Sequence, residues 1–272
     1  MAIRQLIKAC LPPLFLQAAR KIFQSEQVLT WKKYDNWAEA CAASGTYAAN
    51  EIFEKVRMAC AKVRDGEAVY ERDSVLFDEI QYEWPLTAAL MWAAARHGCL
   101  HLIDFGGAFG STYFGNKRFL HTINDVSWNI VEQKHFVECV ENEFSSDKLH
   151  FFDSIVSCHI ATQIDGILFS RVLQYLDDPY MILKKVIDIK FDYIILDRTT
   201  KSSSDFDGAT VQTVSSSIYN AVYPCWMFSQ AKVLDILRQQ YDIIEIFDSA
   251  ADGNKTWGCL AVHKQSDSAN LK

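Results

Sequence analysis

The sequence predicts an α/β protein: a doubly wound sheet of about seven strands, mostly parallel, with an antiparallel strand at its C-terminal end and a helical extension in front. Three observations predict it. From residue 101 onward, short apolar runs alternate with segments of helical period. The first run, His101 to Phe105, passes into the turn Gly106-Gly107-Ala108-Phe109-Gly110, and Ser111-Thr112-Tyr113 then opens a helix. Finally, the chain closes on two strands, 241–247 and 256–263, joined by Asp252-Gly253-Asn254 with no helix between them, so one of the pair must run against the rest.

In chain order, residues 1–25 carry Arg4, Lys8, Arg20 and Lys21 and no acid, among Leu6, Ile7, Leu11, Leu14, Phe15, Leu16, Ile22 and Phe23. Pro12-Pro13 breaks the run, which is too short to span a bilayer and lacks the small-residue cleavage site of a secretory signal. Two readings fit it: a helix lying in a membrane surface, or an arm packed on the domain or on a second subunit. Residues 31–70 follow a helical pattern interrupted near Ser44-Gly45, with Ile52, Val56, Ala59, Cys60 and Val63 on one face and Gly66 at the end. Pro85 can open the next helix at its first turn, and His97-Gly98 closes it. The later strands are 126–132, 149–153, 165–170 and 191–198, the last almost wholly apolar, as a central parallel strand is. Residues 199–217 read as a long polar loop, 219–228 as an aromatic cluster (Tyr219, Tyr223, Trp226, Phe228), and Ser229 as the N-cap of a helix. The expected organisation is an extension over 1–70, a ligand-binding domain over 71–264 and a frayed tail over 265–272.

A chain of 272 residues, half of them hydrophobic, suits one α/β domain with an extension. A net charge of −7 argues against nucleic acid as the partner. The eight cysteines (10, 41, 60, 99, 139, 158, 225, 259) include no C-x-x-C pair; they read as small core residues in a reducing cytoplasm, with no disulfide framework and no metal site.

Ligands of such sheets bind beyond the carboxyl ends of the strands. Those ends carry Asp104 with Gly106, Gly107 and Gly110, then Glu132, Asp153, Ser170 and Asp197-Arg198. Glycine lets backbone approach a ligand and accepts positive φ. Glu132 follows Gly106 by 26 positions, somewhat more than the roughly 20 usual for an acid that binds ribose hydroxyls. Acids at successive strand ends suit a ligand with hydroxyls, an amine or a positive charge, and suit a polyphosphate poorly; the phosphate-binding G-x-x-x-x-G-K-[ST] pattern is absent.

Asp104-Phe105-Gly106-Gly107-Ala108-Phe109-Gly110 resembles the first motif of class I S-adenosylmethionine-dependent methyltransferases, which are Rossmann-like. The chain further resembles a family of methyltransferases encoded with bacterial surface-polysaccharide (O-antigen and capsule) genes. That likeness runs from about residue 30 to 263, through Tyr70 to Ile80, Trp128 to Gln133, Val172 to Leu176, Ile195 to Thr199 and Tyr223 to Trp226. Ala108 departs from the general pattern, which has glycine there. The resemblance implies S-adenosyl-L-methionine as cofactor, the glycine turn carrying its methionine end, Glu132 on the ribose diol, Asp153 near the adenine and Ser170 near the methionine. It implies a small-molecule or lipid-linked sugar as acceptor, in the cytoplasm or peripherally on the inner membrane through residues 1–25. Removal of an alcohol proton calls for a carboxylate or histidine; Asp197 and His135 are the candidates, each with a structural reading beside it. Arg198 can hold an acidic group of the acceptor or pair with Asp197. The aromatic cluster reads as core or as a sugar-stacking wall. The rival readings are a nicotinamide-dependent oxidoreductase, which shares the turn and the ribose-binding acid, and a non-catalytic binding protein.

Overall fold

Proline and small polar residues cut this chain into elements. The computed structural model describes residues 31–44, 50–72, 74–202, 206–213, 222–249 and 256–269. The basic arm 1–25, Gly45, Tyr219 and the turn 252–254 lie outside them. The order is β1 (Trp31–Lys33), α1 (Trp37–Ala42), α2 (Asn50–Arg64), β2 (Tyr70–Arg72), β3 (Val75–Phe77), α3 (Trp84–His97), β4 (Leu100–Phe105), α4 (Ser111–Leu120), β5 (Val126–Val131), α5 (Lys134–Phe144), β6 (Leu149–Phe152), α6 (Ile155–Ala161), β7 (Gly166–Ser170), a 3-10 turn over Leu173–Tyr175, α7 (Pro179–Ile189), β8 (Tyr193–Thr200), β9 (Gly208–Thr213), β10 (Val222–Met227), α8 (Gln230–Leu237), β11 (Tyr241–Asp248), β12 (Thr256–His263) and α9 (Lys264–Ala269).

Local chemistry sets the helix ends. Pro85 stands in the first turn of α3, and Gly98 ends that helix in the left-handed conformation, its N–H donating to the Ala94 carbonyl. Side-chain oxygens of Ser154, Asp178 and Ser229 accept from the backbone N–H groups of Ser157, Met181 and Lys232 and so cap α6, α7 and α8.

The main sheet has seven strands in the order β11-β12-β8-β7-β4-β5-β6. β8, β7, β4, β5 and β6 run parallel to one another, and β12 is antiparallel to both β8 and β11. This is a Rossmann-like doubly wound sheet with an antiparallel C-terminal strand, as the sequence predicts. Alternate residues serve opposite faces. On one face Leu102, Trp128 and Ile195 pack with residues of α3, α4 and α5; on the other Ile103, Phe169 and Leu196 pack with residues of α6, α7 and α8. β4 lies between β5 and β7, so the strand order reverses there and leaves a crevice at the carboxyl ends of β4 and β7. Among the described residues, no helix is long and apolar enough to cross a membrane.

Five local readings are corrected or completed. Residues 31–33 form a strand, and residues 208–213, expected to lie in a long loop, form β9. β9 is the centre of a small antiparallel sheet, β1-β9-β10, in which Thr210 Oγ1 donates to the Cys225 carbonyl at 2.6 Å. Serines and aspartates on either side of Gly208–Thr213 dilute its period, and its pairing partners are distant in sequence. Part of the aromatic cluster is β10, and Tyr70–Phe77 folds as the β2–β3 hairpin. Residues 264–269 form α9 where a frayed end was expected.

Candidate active site

The glycine turn sits at the carboxyl end of β4. Gly106, Ala108 and Gly110 take positive φ of 71°, 48° and 92°. A Cβ on Gly106 would stand 2.3 Å from Val172 Cγ2, and one on Gly107 would stand 2.6 Å from Asp104 Cγ. The turn therefore folds down onto the Asp104 carboxyl and against Val172, and a side chain at either position would push it out of place. Ala108, the departure from the family pattern, holds a left-handed conformation that glycine adopts without strain.

Asp104 is 1% exposed, and its Oδ2 accepts from Trp128 Nε1 at 3.0 Å while Oδ1 has no hydrogen-bond partner. Burial is the main cause that raises its pKa to about 7; the Trp128 N–H and Arg198 oppose the rise, and the Glu132 and Asp197 charges reinforce it. Glu132 follows the end of β5. Its Oε1 accepts from the Ala108 N–H at 3.3 Å and its Oε2 from the Gln133 N–H at 2.9 Å, so one carboxylate clasps the turn and the approach to α5. Burial raises its pKa, and the two backbone amides and the nearby His135 pull it down. Asp153 is exposed after β6 and accepts from Ser157 Oγ at 2.8 Å. That bond leads the causes that lower its pKa.

Two cavities flank the turn. The larger, of about 560 Å³, is lined by Phe105, Glu132, Asp153, Ile155, Val172 and Tyr175 among others. The smaller, of about 140 Å³, is lined by Tyr70, Glu71, Arg72, Ser111, Ser170 and Arg198 among others. Val56, Gly106, Ala108 and Arg171 line both, so the turn is the partition between them. Beside the small cavity, Ser170 Oγ donates to Asp197 Oδ2 at 2.7 Å, Arg198 Nε donates to the same oxygen at 2.9 Å, and Arg198 Nη2 donates to Ser170 Oγ at 2.9 Å. Asp197 is 2% exposed, and the two partners that hold its carboxylate, Ser170 and Arg198, are the ones that line the cavity. Arg171 and Arg198 both have positive φ, 58° and 49°, a rare conformation for a side-chain-bearing residue and one that gathers at functional sites.

Of the residues singled out from the sequence, Gly106, Gly107, Glu132, Asp153, Ser170 and Arg198 line one or both cavities. Asp104 lies beneath the turn, and Gly110 serves as the N-cap position of α4. His135 lines neither cavity: it is exposed on the first turn of α5, its ring against Phe53 and Phe136 at centroid distances of 6.0 and 4.8 Å. The aromatic cluster, in its described part, is packing. Tyr223 and Phe228 are buried, and Trp226 stacks on Trp37 at 5.7 Å with its Nε1 donating to the Leu176 carbonyl. Sequence reasoning on the strand ends missed Arg171, although it directly follows Ser170 at the end of β7. Tyr70 and Arg72 reach the site through a hairpin whose short strands give no periodic signal. Glu71, 4% exposed, anchors that hairpin: it accepts from Ser74 N and from Cys60 Sγ, whose sulfur also lies 3.1 Å from Ser111 Oγ.

No family model and no curated protein matches this chain. Among solved structures it is similar to the 1,6-didemethyltoxoflavin N1-methyltransferase of Burkholderia thailandensis with bound S-adenosylhomocysteine, at 12% identity and a TM-score of 0.45, over 87% of this chain and 96% of that one. It is similar to the magnesium protoporphyrin IX methyltransferase of Synechocystis with bound S-adenosylhomocysteine, at 11% identity and a TM-score of 0.46, over 66% and 82%. A third is an S-adenosylmethionine-bound amino pentose methyltransferase of Micromonospora echinaspora involved in calicheamicin biosynthesis, at 10% identity and a TM-score of 0.45, over 67% and 91%. Likenesses this distant carry no argument about chemistry, which rests on the site itself.

Proposed function

We propose that this protein is an S-adenosyl-L-methionine-dependent methyltransferase acting on a hydroxyl of a sugar or sugar-lipid intermediate of bacterial surface-polysaccharide synthesis. The observation that carries the first part is the turn between two cavities with Glu132 clasped to it. S-adenosylmethionine is a nucleoside with an amino-acid arm, and the paired cavities match its two halves. In this reading Glu132 takes the ribose diol, Asp153 faces the adenine, and Phe105, Ile155 and Val172 supply apolar walls for the base. The turn amides and Arg72 meet the amino-acid arm. Fit is supported by the turn itself, since a Cβ on Gly106 or Gly107 would collide and lift the backbone away from the ligand. When bound, the cofactor supplies an electrophilic methyl group on a cationic sulfonium.

The chain's own part in the chemistry is alignment and proton removal. Ser170, whose Oγ is bonded to both Asp197 and Arg198, lines the small cavity. We assign Asp197 to receive the acceptor proton, with Ser170 as its link to the cavity and Arg198 holding the carboxylate in place. The sugar acceptor rests on the family resemblance of the sequence. Calorimetric titration with S-adenosylhomocysteine and, separately, with NAD tests the proposal. S-adenosylhomocysteine is expected to bind and NAD not to. Glu132→Ala is expected to weaken S-adenosylhomocysteine at least tenfold, since two charge-assisted hydrogen bonds to a diol contribute about 1.5–3 kcal/mol each. Binding of NAD alone, or undiminished affinity in Glu132→Ala, would overturn the assignment.

A further inference from the structure

A second cluster of chemically capable side chains lies at the opposite rim of the main sheet, at the amino ends of its strands. His97 ends α3, Cys99 and His101 follow at alternate positions into β4, and Asp125, Asp165 and Asp192 immediately precede β5, β7 and β8. The backbone fixes these residues in register: Leu100 N donates to Asp125 O at 2.9 Å, Asp165 N to His101 O at 2.9 Å, and Asp192 N to Asp165 O at 2.8 Å. Neither cavity of the candidate active site includes any of them.

The side chains converge. One donor atom each from Cys99, His101 and Asp125 lies within 4.8 Å of the other two. His101 Nε2 is 3.0 Å from Asp125 Oδ2, and its Nδ1 is turned to Asp165 Oδ2 at 3.7 Å. Cys99 Sγ is 3.4 Å from the same Asp165 oxygen. Three buried atoms here lack a hydrogen-bond partner: His97 Nε2, His101 Nδ1 and the hydroxyl of Tyr193, a residue 1% exposed whose ring covers Gly166. Asp165 is taken instead by Cys99 Sγ and by Gln163 Nε2 at 3.3 Å, and its 3.7 Å distance to His101 Nδ1 is too long for a hydrogen bond.

We propose that Cys99, His101 and Asp125 bind a zinc ion at this rim, with water in the fourth position and Asp165 behind His101. A thiolate, an imidazole and a carboxylate form the mixed sulfur, nitrogen and oxygen set that zinc accepts. A carboxylate facing the other ring nitrogen of a ligating histidine fixes its tautomer and orientation, and Asp165 stands in that place. Donors on a tetrahedral zinc ion stand about 3.3–3.8 Å apart; His101 Nε2 and Asp125 Oδ2 are already at 3.0 Å and all three donors lie within 4.8 Å, so only the remaining spacing must adjust. Asp125, with its side chain 66% exposed, has room to do so. The ion would tie the starts of β4 and β5 together. A neighbouring trio, His97, Asp165 and Asp192, offers no sulfur, and its Asp192 is already engaged by Ser266 Oγ at 2.5 Å.

The test uses the full chain, titrated with zinc chloride in a calorimeter and melted with and without EDTA. One zinc per chain is expected, with proton release on binding and a melting temperature that rises with zinc and falls back with EDTA. Asp125→Asn, an exposed change that leaves the fold alone, is expected to weaken zinc at least tenfold. Cobalt(II) in place of zinc should give a near-ultraviolet thiolate-to-metal band that Cys99→Ser abolishes and His97→Gln leaves intact. The proposal is overturned by no zinc binding, by zinc binding that survives both Cys99→Ser and Asp125→Asn, or by binding lost in His97→Gln alone.

Discussion

Asp104→Asn tests the electrostatics at the heart of the site. The wild-type carboxyl is fully enclosed, shares one N–H with Trp128, and leaves Oδ1 without a partner. Burial leads the causes that raise its pKa from 3.8 to about 7. The sign follows from proton counting. Between pH 3.8 and about 7 the unfolded chain has lost this proton while the folded chain still holds it. Asp104 therefore contributes its full stability below the unfolded value, and that contribution is lost as pH rises towards the folded value. From 3.8 to about 7 the loss amounts to about 4 kcal/mol. Asparagine keeps an acceptor for Trp128 Nε1 and carries no titrating proton. Urea unfolding of both proteins at intervals from roughly pH 4 to pH 8 is the assay. The stability of Asp104→Asn relative to wild type should climb with pH and level off above about pH 7, by up to about 4 kcal/mol. Parallel stability curves across that range would refute the reasoning, because they would mean the carboxyl ionises normally beneath the turn.

Gly107→Ala should lower stability by about 1–3 kcal/mol through overpacking against the immobile Asp104 carboxyl, and should weaken S-adenosylhomocysteine, as read by a melt with and without that ligand. A larger ligand-induced shift than in wild type would contradict this. Asp197→Asn should lower turnover with a competent sugar acceptor by roughly 10²–10⁴ while S-adenosylhomocysteine affinity stays near wild type; matched losses in melting temperature and activity would mark the residue as structural only. For the basic arm, the full chain should float with anionic vesicles at low salt, and a chain starting at Val28 should not. If both remain in the soluble fraction, membrane binding by residues 1–25 is ruled out.

Much of the sheet was legible because its signals are local. A run such as Tyr193 to Leu196 is buried on both faces, so apolar character alone marks it as a central strand. Glycine at 106, 107 and 110 records a backbone that must approach other groups, and Ser229 records a cap; both requirements are met within a few residues. The order of strand ends then placed Glu132, Asp153, Ser170 and Asp197 on one rim without any knowledge of contacts, because a parallel strand must deliver its carboxyl end to the same side as its neighbours.

Tertiary structure alone decided what depends on partners far along the chain. β9 pairs with β1 across about 180 residues and with β10 across a shorter excursion, and no window of sequence records either pairing. The Tyr70 hairpin brings Arg72 to the glycine turn although nothing in its own residues marks a ligand wall. His135, chemically apt and three residues after Glu132, is exposed on the first turn of α5 and lines neither cavity. The scattered cysteines read from sequence as independent core residues. In the fold, the register between β4, β5 and β7 sets Cys99 beside His101, Asp125 and Asp165, because parallel strands align their amino ends as strictly as their carboxyl ends.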